Sequence, residues 1–386
     1  MFFRLKDFSF TNKKVLIRVD FNVPMHGGRI TDDSRIKKTI PTIEYVLRKG
    51  AKQVIVCSHF GQPKGRKEPE FSLLPVCRRL EQLLGRKVEF CEEFAVDESH
   101  KVVMLENLRF SRGEAENDYD FAKKLAGLAD IFVFDAFGVA HREHASVSGI
   151  PKHIPSCAGL LMEKEVEFLG EDMKSPKRPF VAIIGGAKPD KINVIGNLIK
   201  RVDTLIVSGV LANTFLKASG HEIGLSKYNK DSLNAARKLL SGFSKKIVLP
   251  EDFVLGERFM ANTKTRVAYV DDKIAGWMIM DVGTETIKKY KEILNRAKTV
   301  VWAGPLGAFE FEKFETGTME IAKHLSKLNI VKIIGGGDSG EAIEKFGLTS
   351  RMTHVSTGGG ASLELLAGHE LPGIKALEEN YRKFKK

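Results

Sequence analysis

Cysteine is scarce in this chain: Cys57, Cys77, Cys91 and Cys157 are its only 4 among 386 residues, and none stands at a CxxC spacing. A disulfide scaffold and thiol-based metal or redox chemistry are therefore not expected, and reduced, mostly buried thiols are. Long hydrophobic runs are missing as well. Stretches such as Asp130-Ile-Phe-Val-Phe-Asp135 are broken by charge within a few positions, well short of the roughly 18–20 apolar residues of a membrane span. Arg4, Lys6 and Asp7 interrupt the first phenylalanines, so the amino terminus lacks the apolar centre of a signal peptide. A cytoplasmic protein with no membrane partner is the expectation. No low-complexity tract and no repeat of roughly 20–50 residues occurs, which argues against a solenoid or propeller.

What is present fits a soluble protein of two ordinary domains. Apolar residues make up 43% and charged residues 28% of the chain, ordinary values that exclude bulk disorder and collagen-like structure. The formal net charge is +12. Nucleic acid, an acidic surface or small multiply charged anions would each suit that excess. The basic residues are dispersed, and the densest run, Tyr381-Arg-Lys-Phe-Lys-Lys386, reads as a solvated tail, so no nucleic-acid partner is expected.

Short apolar runs recur at residues 15–19, 54–57, 102–105, 131–134, 181–184, 205–207, 246–249, 300–302, 332–334 and 353–356, each followed by a turn and a segment of helical period. That alternation predicts an α/β architecture of parallel sheets covered by helices. Between the fourth and fifth runs, Leu160-Leu-Met-Glu-Lys-Glu-Val-Glu-Phe-Leu169 carries apolar residues at helical spacing, and Lys174-Ser-Pro-Lys-Arg-Pro179 follows. A linking helix over 161–174 between domains at 1–160 and 175–371 is predicted.

Ligands of open parallel sheets sit outside the carboxyl ends of the strands, so the residues there carry the functional information. In the first half those residues are cations. Arg18, Asp20 and Asn22 alternate after Val15, which reads either as an edge strand with one wet face or as a polar site at a strand end. Ser58-His-Phe-Gly61, Arg109 and His141-Arg-Glu-His144 follow later runs, and Arg35 follows a plausible helix start at Asp32-Asp-Ser34. Guanidinium groups at successive strand ends suit a phosphate or carboxylate ligand, which their forks bind bidentately. The second half presents glycines instead, in Ile183-Ile-Gly-Gly-Ala-Lys-Pro-Asp-Lys191, Ile333-Ile-Gly-Gly-Gly-Asp-Ser-Gly340 and Val355-Ser-Thr-Gly-Gly-Gly-Ala-Ser362. Strand, glycine turn and helix together let backbone amides and a helix dipole face an anion. The Walker A pattern is absent, and no dinucleotide fingerprint follows the first strand. Lys188 and Lys191 can serve as point charges for phosphates.

As a set these residues resemble the phosphoglycerate kinase family, in order and over nearly the whole chain. The matching motifs are Arg18-Val-Asp-Phe-Asn-Val-Pro24, Ser58-His-Phe-Gly61, Leu105-Glu-Asn-Leu-Arg-Phe110, Asp135-Ala-Phe-Gly-Val-Ala-His-Arg142, Leu160-Leu-Met-Glu-Lys-Glu165, Gly185-Gly-Ala-Lys188, Gly276-Trp-Met278, Gly304-Pro305, Gly335-Gly-Gly-Asp338 and His354-Val-Ser-Thr-Gly-Gly-Gly360. The resemblance implies two lobes with Rossmann-like sheets, a carboxyl-terminal tail (about 372–386) returning to the first lobe, and closure about the linking helix during turnover. It implies 3-phosphoglycerate held by Asp20, Asn22, Arg35, His59, Arg109 and Arg142, with Arg18, His141 and His144 completing the basic surface. ATP or ADP would be held by Lys191, Gly283, Glu310, Gly336, Gly337, Asp338 and Ser339, with Mg²⁺ carried by Asp338. Arg35, Lys188 and the amides of Gly358, Gly359 and Gly360 would surround the transferred phosphoryl group. A monomeric enzyme of glycolysis and gluconeogenesis is implied; the alternative is a catalytically impaired binding protein of the same fold. Gln62 departs from the family's usual arginine, Lys188 and Lys191 stand three apart where four is usual, and Ser208-Gly-Val-Leu-Ala212, Thr284 and Ala303 also differ. These departures bear on nucleotide preference more than on the reaction.

Overall fold

The computed structural model describes residues 1–171, 173–187 and 192–385. The chain forms two compact units, Met1–Glu167 with Glu370–Lys386, and Phe168–His369. Each is built on a six-stranded parallel sheet flanked by helices.

The sheet of the first unit runs Glu89–Cys91, Val102–Leu105, Gln53–Cys57, Lys14–Val19, Ile131–Asp135, Ser156–Ala158. Its four inner strands are apolar along their length and buried on both faces, as expected of a parallel sheet covered by helices. Lys14–Val19 pairs with Gln53–Cys57 on one side and Ile131–Asp135 on the other, so it is a central strand. The edge-strand reading of its polar residues therefore fails. Only Arg18 belongs to the strand, while Asp20 and Asn22 lie just beyond its carboxyl end. The chain builds outward on one side of this strand, then returns to build on the other, which makes its carboxyl end the topological switch point. Helix Pro372–Phe384 packs on this unit: Asn380 accepts from Ser156 N at 2.9 Å and donates to Pro151 O at 2.6 Å, and Gly373 N donates to Ala140 O at 2.8 Å.

The second unit repeats the logic in the order Ile247–Val248, Thr204–Val207, Phe180–Ile184, Thr299–Ala303, Val331–Gly335, His354–Val355. Its switch point is the end of Phe180–Ile184. A three-stranded antiparallel sheet of Thr265–Tyr269, Asp252–Gly256 and Met278–Val282 is added. Its outer strand buries only Ala268, and so gives no apolar run for the sequence to announce.

Three helices lack a capping side chain at their own N-cap and take a carboxylate from a distant strand. Asp135 Oδ1 accepts from Met162 N at 3.0 Å at the start of Leu160–Val166. Asp252 Oδ1 accepts from Thr286 N at 2.8 Å at the start of Thr284–Arg296, and Asp281 Oδ2 from Gly317 N at 2.7 Å at the start of Thr316–Lys327. Each meets amide groups that the first helical turn leaves without partners. Burial nevertheless raises the Asp135 carboxyl to about 6 and that of Asp281 to about 7.

Candidate active site

Strand ends of the first unit bring a dense set of cations together. Arg18 is fully buried. Its Nε donates to Ser146 Oγ at 2.7 Å, one terminal nitrogen bonds the carbonyl of Val19, and the other lies 3.2 Å from His59 Nδ1. Arg35, in the first turn of helix Ser34–Arg48, pairs with Asp20, whose other oxygen lies 3.9 Å from His59 Nδ1. Asn22 accepts from Gly61 N at 3.0 Å, and Arg109 donates to Gly61 O at 2.7 Å. The loop after Leu105 is thereby tied to the loop after Cys57.

Asn107 strengthens that tie. Its carbonyl oxygen accepts from Phe60 N and Arg109 N, both at 3.1 Å, and its amide nitrogen donates to Phe60 O at 2.7 Å and Phe71 O at 2.9 Å. Every hydrogen-bonding capacity of a buried amide is used to hold the two loops that present His59 and Arg109. It lies inside the Leu105–Phe110 motif, yet composition gave no sign that it is a clamp. Glu114 and Ser146, which lie beneath Arg18, carried no sequence signal at all.

Electrostatics mark the region as one waiting for negative charge. Burial drives the His59 imidazole well below its usual range, and Arg18, Arg109, Arg35 and His144 push it further. Burial lowers His141 to about 4, with Arg142 adding, and lowers His144 to about 4, with Arg109 and Arg142 adding. The Arg109 guanidinium is itself lowered to about 10 by burial and then by Arg18 and Arg142. Cations that depress one another's ionisation are held by the fold against their mutual repulsion, a strain that a bound anion relieves. Nδ1 of His141 and Nδ1 of His144 are buried without a hydrogen-bond partner among the described residues. The structure thus brings Asp20, Asn22, Arg35, His59 and Arg109 together directly, and Arg142 and the two histidines into the same field. Gln62 is exposed beside Gly61.

The second unit holds a cavity of about 440 Å³ at the ends of its strands. Val210, Leu225, Met278, Ile279, Met280, Leu306 and Phe309 give it apolar walls, with Gly186, Gly307, Glu310, Asp338 and Glu341 at its polar parts. An apolar slot with a few polar groups suits a flat heterocycle carrying a charged tail. Gly336, at φ +108°, turns the chain from Val331–Gly335 into helix Gly337–Lys345, whose first turn carries the exposed Asp338. The Ser339 hydroxyl is committed to the backbone, accepting from Gly304 N at 2.5 Å and donating to Gly335 O at 3.2 Å. Gly283 is not among the cavity's lining residues; it is buried against Asp252, and its N–H donates to Asp252 O at 2.8 Å. The Gly358 N–H is taken by Ser356 Oγ at 3.0 Å, and a Cβ placed on Gly336 would sit 3.9 Å from Gly359 Cα, so the two glycine turns are neighbours. Gly360 opens helix Gly360–Leu366. Lys188 and Lys191 lie outside the described residues.

The glycines of the Gly185 turn, with Gly304, have a packing role as well. Gly186 N donates to Pro305 O at 2.8 Å, and a Cβ on Gly304 would sit 2.1 Å from Gly185 O. These glycines let two strand-end turns pack backbone against backbone, which shapes the cavity floor.

The phosphoglycerate kinase family profile matches residues 5–369. A phosphoglycerate kinase of Moorella thermoacetica is 48% identical over 388 residues, covering 97% of this chain and 98% of the relative. Among solved structures, phosphoglycerate kinase from Pyrococcus horikoshii OT3 matches with a TM-score of 0.88 at 36% identity, covering 99% of this chain and 100% of that one. The corresponding enzyme of Coxiella burnetii matches with a TM-score of 0.84 at 40% identity, covering 98% and 99%.

Proposed function

We infer the function from the premise that this chain belongs to the phosphoglycerate kinase family. It is a phosphotransferase with a carboxyl group as acceptor, catalysing the reversible reaction 1,3-bisphosphoglycerate + ADP = 3-phosphoglycerate + ATP of glycolysis and gluconeogenesis. The observation that carries the reading is the cationic crevice at the switch point of the first sheet, where Arg18, Arg109 and Arg142 depress the histidines around them. A ligand with a phosphate and a carboxylate offsets that charge.

In this reading Asp20, Asn22, Arg35, His59, Arg109 and Arg142 hold 3-phosphoglycerate. Arg18, being buried, acts from beneath through His59. The nucleotide base lies against the apolar walls of the second unit's cavity, with Gly336, Gly337, Asp338 and Ser339 near its phosphates, Glu310 at its rim, and Gly283 supporting from behind. Lys191 supplies a phosphate contact. Magnesium suits this site: Mg²⁺ is held by one or two carboxylates plus substrate phosphates, and Asp338 offers one exposed carboxylate at the cavity, while among the described residues no cluster of three or more ligating side chains forms a closed cage. Bound there with the nucleotide, the ion would neutralise phosphate charge.

A carboxylate acceptor with an ordinary pKa of about 4 is already ionised at neutral pH, so the chain needs no general base. Its residues have to align the acceptor and stabilise charge on the equatorial oxygens of the transferred group. Arg35, Lys188 and the amides of Gly358 to Gly360 fill that role. With the acceptor on one unit and the nucleotide on the other, turnover requires the ligands to be brought together with water excluded. The enzyme acts as a cytoplasmic monomer on small molecules, without nucleic acid or membrane partners; among the described residues no helix is long and apolar enough to cross a membrane.

The test mixes the purified protein with MgATP and 3-phosphoglycerate, traps the acyl phosphate with hydroxylamine, and runs Lys188→Ala beside it. The expected outcome is product from the wild type and a loss of about 100-fold or more in kcat for the folded variant, the scale seen when a preorganised charge is removed. Binding of both ligands without product would instead establish an impaired binding protein of this fold.

A further inference from the structure

Beneath the cationic crevice lies a buried line of polar groups, and to two of them, Glu114 and Ser146, neither the family resemblance nor the reaction assigns a part. Glu114, in the short helix Arg112–Ala115, is fully buried. One carboxylate oxygen accepts from Ser146 N at 3.0 Å and the other from Ser146 Oγ at 2.7 Å. Ser146 is also fully buried, and its Oγ accepts from Arg18 Nε at 2.7 Å. Arg18 then reaches His59 Nδ1 at 3.2 Å and lies 3.9 Å from Glu114. Four residues from four separate segments thus form one continuous chain of hydrogen bonds.

The donor and acceptor inventory leaves one arrangement. An ionised carboxylate only accepts, so the single proton of the Ser146 hydroxyl points at Glu114. The Ser146 oxygen is then free to accept, and Arg18 Nε, which only donates, bonds it. The same guanidinium can only donate to His59 Nδ1, so Nδ1 must be the acceptor and the ring proton must sit on Nε2. Burial and the surrounding charges of Arg18, Arg109, Arg35 and His144 keep that ring neutral, against the carboxylates of Asp20, 3.9 Å from the ring, and of Glu114 behind Arg18. His59 is thereby fixed as a neutral N–H donor among the cations of the crevice.

We propose that Glu114 and Ser146 are positioning residues of the 3-phosphoglycerate site, acting through Arg18 to fix the tautomer and orientation of His59. The proposal rests on the reading of this crevice as the acceptor site, but its own content is the direction of the buried relay. Glutamine at position 114 keeps the shape and loses the direction. Its amide has one accepting oxygen for the two Ser146 donors, and with that oxygen on the Ser146 N–H its NH₂ competes with Arg18 Nε for the Ser146 hydroxyl oxygen. The hydroxyl oxygen is then no longer reserved for Arg18, and the guanidinium that sets the His59 tautomer loses its fixed position.

The test measures binding of 3-phosphoglycerate by calorimetry, which needs no turnover, for wild type, Glu114→Gln, Ser146→Ala and the double variant. ¹⁵N spectra of the His59 ring are recorded alongside. Each single change is expected to weaken 3-phosphoglycerate about tenfold, the scale of one charge-assisted hydrogen bond, leaving MgADP affinity unchanged. The double variant should lose about tenfold as well, because both changes cut the same relay. The wild-type spectrum should show an Nε2-protonated ring that stays neutral well below pH 6.5, and the variants a mixed tautomer that also stays neutral, because burial and the neighbouring arginines remain. Unchanged affinity in the folded variants, losses that multiply to about a hundredfold, or a wild-type ring protonated on Nδ1 would overturn the proposal. If Glu114→Gln does not fold, the wild-type tautomer and Ser146→Ala still decide it. Should the wild type bind 3-phosphoglycerate yet transfer nothing, the kinase reading fails while the relay is tested intact.

Discussion

In the proposed reading the two units solve the same problem, holding a multiply charged anion at the switch point of a parallel sheet, with different materials. The first uses side chains: Arg35, Arg109, Arg142 and three histidines, braced by Asn107, Glu114 and Ser146. The second uses backbone: glycine turns that pack on one another, a helix start, and an apolar slot for the rest of the ligand. Side-chain recognition places many cations in little water, and the depressed histidines record what that costs. Backbone recognition stores no such charge. Its cost is steric where the turns at Gly185 and Gly304 meet, since neither position leaves room for a Cβ.

A substitution that separates the two modes most sharply is Gly304→Ala. The added methyl would lie 2.1 Å from Gly185 O at a residue with φ +95°, so both clash and backbone strain oppose it. We expect a loss of about 3 kcal/mol or more in unfolding free energy, read from denaturant unfolding, together with weakened MgADP binding. Affinity for 3-phosphoglycerate in the surviving folded fraction should be untouched. A stable variant would show that the two turns can move apart and that the cavity floor is not built as described.

Arg109→Ala is the corresponding change in the first unit, and its signature is the reverse. Removing one charge-assisted contact should raise the Kd for 3-phosphoglycerate about 10–100-fold, with MgADP unchanged and little loss of stability, because deleting a cation lowered to about 10 by burial and then by its neighbours removes both its desolvation and its repulsion. Equal losses for both ligands, measured by calorimetry, would erase the distinction between the units.

Acid should act more gently, and on the first unit through its histidines. His141 and His144 have folded pKa values of about 4 against an ordinary value of 6.5, so between these limits the unfolded chain binds more protons. Their contribution to stability is complete above about pH 6.5 and is lost as pH falls toward 4. Asp135, raised to about 6, and in the second unit Asp281, raised to about 7, work in the opposite sense, stabilising at low pH and losing that contribution as pH rises through those values. Protection factors of the amides around residues 141–146, exchange corrected for its intrinsic pH dependence, should therefore fall between pH 6.5 and 4, and 3-phosphoglycerate should restore them. A flat profile would mean that the histidines are not held against their neighbours' charge.

Much of this was legible in the sequence. Every apolar run became a strand, because a buried parallel strand needs continuous apolar residues and shows them openly. The ends of those strands exposed the cations of the first unit by chemistry alone. Less visible were the parts whose logic is local to the folded state. The antiparallel sheet carrying Met278 and Met280 has an outer strand burying only Ala268, so no periodicity marked it. That Gly185 and Gly304 answer to each other's backbone was also invisible, being a contact between positions far apart in sequence. Glu114 and Ser146 are single polar residues in unremarkable segments, and only burial reveals that they face Arg18.

Hydrogen exchange with each ligand added alone tests the division of labour most directly. 3-Phosphoglycerate alone should protect amides around residues 20–22, 59–61 and 141–146 and leave the second unit unchanged. MgADP alone should protect residues 305–310 and 336–340 and leave the first unchanged. Protection by either ligand of the other unit's residues, in the absence of the second ligand, would contradict the assignment of acceptor and nucleotide to separate sheets.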